Sequence, residues 1–304
     1  MRAPLALLLL ALALPAAAQE PSALELPPRR GVLLGEQWRY SSHDRHLGLI
    51  GLDLVERLGA DLVAIPANFF TTWTHEDYAL LTTVGGGVLA MMVGADPLDA
   101  QLQRAVLSTF GLPGHRFTIW TTAGDVAIWA TIGGAAVAMF LTSWFVHRDD
   151  LFELAVLMLE AFTVAEFFHV VPKLLLGRDS PTSAGGLAQV HGPARGWAIF
   201  PGGTPSGHAA ALYAMMGAAS AWFDNPWLTA ALQVVGLAFC ATLLVDNYHF
   251  ASDMLWGATM GWEIGQWVVR HRASRSHSPG PAVRVLPLVE PRTGTVAVSV
   301  GLSF

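Results

Sequence analysis

Between residues 78 and 269 the chain is a succession of long apolar runs separated by short polar breaks. Six of these runs, at 78–95, 125–146, 151–176, 208–223, 227–245 and 252–269, are continuous rather than alternating. Continuous apolar runs of this length predict helices, because barrel strands alternate apolar and polar positions. A helix needs about 17–25 residues to cross a bilayer core, so the pattern predicts an all-α, six-transmembrane-helix bundle whose fourth span is at the short limit. Trp73, Trp144, Trp222, Trp227 and Trp267 lie at or near the run ends, where an interfacial aromatic belt is expected. Gly85, Gly86, Gly87, Gly133 and Gly134 fall inside spans; they either let helices approach closely or merely fill space.

The flanks read differently. Residues 1–18 resemble an export signal, with Arg2 as the charged start, Leu5 to Leu14 apolar, and Ala16, Ala17 and Ala18 as a small-residue cleavage site. An uncleaved anchor is the alternative. Residues 19–77 form an amphipathic N-terminal region. Its apolar stretch, 47–70, is interrupted by Asp53, Glu56, Arg57 and Asp61. Asp53 with Arg57, and Arg57 with Asp61, have the i,i+4 spacing of helical ion pairs. The expected element is an amphipathic helix on the membrane or against the bundle, since a seventh span would carry four charges. Residues 78–270 form the six-helix domain. The tail, 271–304, is polar until Val296, Val298, Val300, Leu302 and Phe304 alternate with small residues. That is a strand period, and the Pro291–Gly294 stretch suits a turn, so a short β-hairpin is expected there.

Only 13% of the 304 residues are charged, against 53% hydrophobic. Soluble domains carry about 25% charged residues, so lipid is the implied solvent. A net charge of -6 without a basic cluster excludes nucleic acid as a partner. Cys240 is the single cysteine, which excludes an internal disulfide and a cysteine metal site.

Three polar clusters fall at predicted span boundaries. Lys173, Gly177, Arg178, Ser180 and Pro181 follow the third span, Pro205, Ser206, Gly207 and His208 open the fourth, and His249 and Asp253 join the fifth to the sixth. Successive crossings bring all three to one membrane face. Ionisable groups at that depth are functional candidates. Lys173 and Arg178 can neutralise a phosphate. Gly207 lets backbone approach an oxyanion, Ser206 adds a hydroxyl, and the helix start adds N–H groups. His249 and Asp253 face each other at i,i+4, so a carboxylate on Nδ1–H leaves Nε2 as a nucleophile. His208 is then free to protonate a leaving alkoxide. Glu166, His169 and Lys173 share one helical stripe, expected to be a buried network that steadies Lys173. Glu160 and Glu263 are expected to be packing or interfacial, and His191 a solvated loop residue. Asp246 either caps a helix or sits at the mouth of the site.

The order Lys…Pro, Pro-Ser-Gly-His, His-x3-Asp resembles the three-part signature of the type 2 phosphatidic acid phosphatase (PAP2) superfamily over about residues 96–265. The resemblance implies that His249 attacks phosphorus to give a phosphohistidine, that Asp253 orients it, and that His208 is the general acid. It also implies phosphate binding by Lys173, Ser206 and the Gly207 amide, with no metal and no cofactor. The chain departs from the pattern where Ser180 and Leu243 stand at positions usually held by arginine. Arg178 is expected to bind phosphate in their stead, with Arg195 as a second candidate.

The function implied is hydrolysis of a lipid phosphomonoester or pyrophosphate in the membrane. The alternatives are an impaired relative that binds lipid phosphate or scaffolds a membrane assembly, and a lipid phosphotransferase. Arg148, Arg270, Arg272 and Arg275 flank the face opposite the site. The positive-inside rule makes that face cytoplasmic, which predicts a bacterial inner-membrane protein with a periplasm-facing site. A cleaved signal followed by six crossings would give the opposite orientation.

Overall fold

The computed structural model describes residues 47–71, 75–94, 96–110, 122–146, 149–181, 189–193, 195, 203–275, 282–289 and 296–303. The signal-like segment, Trp73 and the expected turn at Pro291–Gly294 lie outside them. The helices are α1 (Leu47–Thr71), α2 (His75–Met92), α3 (Leu98–Phe110), α4 (Thr122–Phe145), α5 (Asp149–Leu176), α6 (Gly207–Phe223), α7 (Pro226–Val245) and α8 (Ala251–Arg275). Strands β1 (Ala282–Val289) and β2 (Val296–Ser303) pair antiparallel, with Val285 opposite Val300.

The runs read as spans correspond to α2, α4, α5, α6, α7 and α8. Among the described residues two stretches, Leu151–Leu176 and Pro226–Val245, are long and apolar enough by themselves to cross a membrane; Tyr78–Met92 and Ile132–Phe145 are shorter apolar stretches. Helix α3 was not expected. Its pattern is that of a short amphipathic helix, with Leu102 and Val106 buried on one face together with Asp99 and Gln103. The Gln103 amide donates to the Leu244 carbonyl at 2.9 Å and to Asn247 Oδ1 at 2.8 Å, fixing α3 against the turn that follows α7.

Helices α6 and α8 form the centre, and they touch backbone to backbone. Gly257, Gly261 and Gly265 recur every fourth residue, so they line one face of α8. A Cβ at these positions would lie 2.3 Å from the Ser206 carbonyl oxygen, 2.1 Å from that of Ala210 and 2.1 Å from that of Ala214. Gly217 on α6 reciprocates, since a Cβ there would lie 2.5 Å from the Trp262 carbonyl oxygen. Small residues at this spacing allow helices to approach closely. The glycines first considered for this role, Gly85, Gly86, Gly87, Gly133 and Gly134, have nothing within 4 Å of a built Cβ. Of their two readings, close packing fails and filling space remains.

Charges gather at the end of the bundle away from the expected site. Arg57 of α1 reaches Glu153 Oε1 at 3.2 Å and Glu160 Oε2 at 3.7 Å on α5. Arg272 of α8 donates through Nε to Glu160 Oε1 at 2.9 Å, pairs with Glu160 again through Nη2, and meets Asp61 Oδ2 at 3.2 Å. Arg57 and Asp61 therefore bind across helices. Both are buried, and a buried charge is held where an opposite charge is also buried. Glu160, expected to be packing or interfacial, is the centre of this network. Helix α1 is thereby clamped to α5 and α8. Trp144, Trp222, Trp227 and Trp267 lie on the helix ends of this same side.

The glycine face gives a direct test. Gly261→Ala places a methyl group on backbone that cannot move independently, and should lower stability by at least about 2 kcal/mol. Gly86→Ala enters open space in a helix interior, and should be neutral or stabilising by up to about 1 kcal/mol. Thermal unfolding of the purified variants in detergent separates the two.

Candidate active site

Three chain segments supply the expected residues. Lys173 comes from the last turn of α5. Ser206 caps α6, with its side-chain oxygen accepting the Ala209 N–H at 3.3 Å, and Gly207 and His208 begin that helix. His249 lies in the turn between α7 and α8, and Asp253 in the first turn of α8. Lys173, Ser206, His208, His249 and Asp253 are all buried. The Ser206 N–H donates to the Asp253 carbonyl at 2.9 Å, which joins the second segment to the third.

The turn that presents His249 is tight. The Leu243 carbonyl accepts the N–H groups of Tyr248 at 2.9 Å and His249 at 3.4 Å. His249 Nδ1 then faces Asp253 Oδ2 at 3.3 Å, and the same oxygen accepts the Phe250 N–H at 2.9 Å. A carboxylate opposite Nδ1 places the proton there and leaves Nε2 with its lone pair. Burial pushes the imidazole below its ordinary pKa, against the opposing pull of Asp253. The rings of His208 and His249 stand 6.4 Å apart, centroid to centroid, with the Tyr248 ring edge-on to both.

Arg178 was expected on phosphate, and the structure gives its guanidinium other partners. Nη1 donates to Asp253 Oδ1 at 2.8 Å, to Ser252 Oγ at 2.8 Å and to Thr204 Oγ1 at 3.0 Å. Nη2 donates to Asp99 Oδ2 at 2.8 Å, and the Phe250 ring lies under the guanidinium carbon at 4.5 Å. The side chains of Arg178, Asp99 and Asp253 are wholly buried. Thr204 also donates its hydroxyl to Asp253 Oδ1. The Asp253 carboxylate thus faces Arg178 and Thr204 on one oxygen and His249 and Phe250 on the other.

Asp99, Thr204 and Ser252 were not singled out in the sequence. Thr204 adjoins the Pro-Ser-Gly-His motif and Ser252 lies inside His-x3-Asp, so proximity was their only signal. Asp99 stands 74 residues before Lys173 in a helix that was itself missed. Besides Arg178, it accepts the Ser252 N–H at 3.0 Å and the Ser252 hydroxyl. Burial raises the Asp99 carboxyl above its ordinary range, and Arg178 is the strongest influence pulling it back.

The remaining candidates are placed as follows. Leu243 is packed in the apolar core with Tyr213 and Met254, so no cation is held at that position. Ser180 is buried. Arg195 is exposed and contacts His191 Nδ1 at 3.5 Å. His191, expected to be solvated, instead pairs through Nε2 with Asp179 at 2.7 Å. The base of this loop is closed by a bridge between Arg178 and Val190, which brings Asp179 and His191 together. Asp246 caps the C-terminal end of α7. Glu166 Oε2 lies 3.2 Å from His169 Nδ1. A Cβ on Gly207 would lie 2.8 Å from His169 Nε2, so this third histidine packs against the start of α6 where the Gly207 amide is expected to act.

Among the described residues no group of histidine, cysteine and carboxylate side chains is arranged to hold a metal ion. No curated protein and no solved structure matches the chain. The family description "PAP2 superfamily" matches residues 154–276, a segment that holds Lys173, Ser206, Gly207, His208, His249 and Asp253. With the histidine motifs of that segment gathered at one end of the bundle, the match supports membership of the PAP2 superfamily.

Proposed function

We propose that the protein is a membrane phosphatase that hydrolyses a lipid phosphomonoester or pyrophosphate through a phosphohistidine. One observation carries this reading. His249 is backed by Asp253 on Nδ1, and the His208 ring lies edge-on to its ring at 6.4 Å, centroid to centroid. In-line displacement places nucleophile, phosphorus, leaving oxygen and acid in approximate alignment, and two imidazoles at this separation suit its two ends.

In the first step His249 Nε2 bonds to phosphorus while the bond from phosphorus to the leaving oxygen breaks. His208 gives that oxygen its proton. In the second step His208 takes a proton from water, whose oxygen bonds to phosphorus as the N–P bond breaks and releases phosphate. Lys173 supplies the positive charge beside the phosphoryl oxygens. The Ser206 hydroxyl hydrogen and the Gly207 amide at the start of α6 supply neutral donors.

A second reading is favoured by Arg178. With its guanidinium committed to Asp99 and Asp253, and with Leu243 in the core, Lys173 is the main cation left among the expected phosphate ligands. Each charge-assisted contact contributes about 1.5–3 kcal/mol. A relative that binds lipid phosphate weakly and turns over slowly, or that scaffolds a membrane assembly, is consistent with that shortage.

The reading places α2, α4, α5, α6, α7 and α8 across a bacterial inner membrane. The site then lies at the end shared by Lys173, His208 and His249, and faces the periplasm. The arginines near the opposite end support this orientation.

Two experiments test the proposal. His249→Ala should abolish phosphate release from a panel of lipid phosphates, and His208→Ala should slow it by about two to four orders of magnitude. Normal turnover by purified His249→Ala would refute the nucleophile. For orientation, single cysteines are introduced into Cys240→Ala protein. One at residue 182 should react with an impermeant maleimide added to intact spheroplasts, and one at residue 274 should not. The reverse pattern would place the chemistry in the cytoplasm.

A further inference from the structure

We infer that Asp99 is a positioning residue for the nucleophile, acting on His249 through Arg178 and Asp253. The inference rests on the assignment of His249 as nucleophile. Asp99 lies outside the segment that matches the superfamily, and only the fold of α3 brings it to the site.

Four side chains form one continuous path. Asp99 Oδ2 accepts from Arg178 Nη2 at 2.8 Å, Arg178 Nη1 donates to Asp253 Oδ1 at 2.8 Å, and Asp253 Oδ2 faces His249 Nδ1 at 3.3 Å. A guanidinium is planar, with its donors in a rigid fork. A carboxylate on each terminal nitrogen therefore fixes the plane of Arg178. The fixed Nη1 in turn holds Asp253 Oδ1, which leaves Oδ2 directed at the imidazole.

The same arrangement sets the charge. Arg178 lies between two carboxylates and divides its attraction between them. With the Asp99 charge removed, it would act on Asp253 alone. Asp253 would then stabilise the protonated imidazole less, and Nε2 would be a weaker base and nucleophile. The other groups around His249 are Lys173 and His169 of α5, His208 of α6 and the neighbouring Tyr248. None of these bonds to Asp99 in the network described.

Asp99 Oδ1 also accepts the Ser252 N–H at 3.0 Å in the first turn of α8. A purely structural role as a cap for α8 is therefore the competing account. It predicts lower thermal stability for any Asp99 variant and an unaltered His249 in those that fold.

The test uses the full chain in detergent, labelled with 15N-histidine, and follows His249 through a pH titration without substrate. Asp99→Asn should lower the His249 midpoint by about half a unit or more. It should also lower kcat about tenfold with KM within about twofold. Arg178→Lys, which keeps a cation but loses the fork, should displace the midpoint in either direction, and serves if Asp99→Asn does not fold. An unmoved midpoint in the folded variant overturns the inference and leaves the cap. The titration needs no turnover, so an inactive wild type would sink the phosphatase reading while the midpoint still decides the role of Asp99.

Discussion

A guanidinium buried among carboxylates holds the site together. Arg178 has no access to water and meets Asp99, Asp253, Ser252 and Thr204. A buried charge is tolerated only when its donors are satisfied, and breaking such a network is far more costly than the network's net contribution to folding. The partners come from α3, the first turn of α8 and the residues just before α6. None of these segments can shift without leaving a donor or a carboxylate alone, so the network fixes the Asp253 carboxylate more firmly than apolar packing would.

The backbone contact of α6 with α8 adds a second constraint. It lets Ser206 come within hydrogen-bonding distance of the Asp253 carbonyl, and so sets the spacing of the His208 and His249 rings. The charged cluster at the opposite end, built on Arg57, Glu160 and Arg272, holds α1 to the same helices. Apolar contacts alone permit sliding along a helix axis. Charges placed at both ends of the bundle oppose it.

Much of the site was legible because its residues sit in short motifs whose spacing is set by helix geometry. Pro205 to His208 opens a helix, and His249 and Asp253 are one turn apart. The helices were legible from continuous apolar runs, though hydropathy gave no sign that Gly257, Gly261 and Gly265 line the contact of α8 with α6. Helix α3 was obscured because its charged and amide side chains, Asp99 and Gln103, are the ones buried. The destination of Arg178 was not readable either. Sequence places a cation near a phosphate motif, whereas a carboxylate 79 residues earlier occupies it instead.

The ladder at the base of the loop after α5 separates two tasks. Asp179 N–H to Gln189 carbonyl at 3.0 Å, His191 N–H to Gly177 carbonyl at 3.1 Å and Gly192 N–H to Leu176 carbonyl at 2.8 Å close the stem. Arg178 belongs to that stem. Because the ends are tied, the sequence between them can be lengthened, shortened or exchanged at small entropic cost while the arginine beneath keeps its partners. One buried network can then sit beneath different sequences, and relatives can diverge between the tied ends without any change in the residues below.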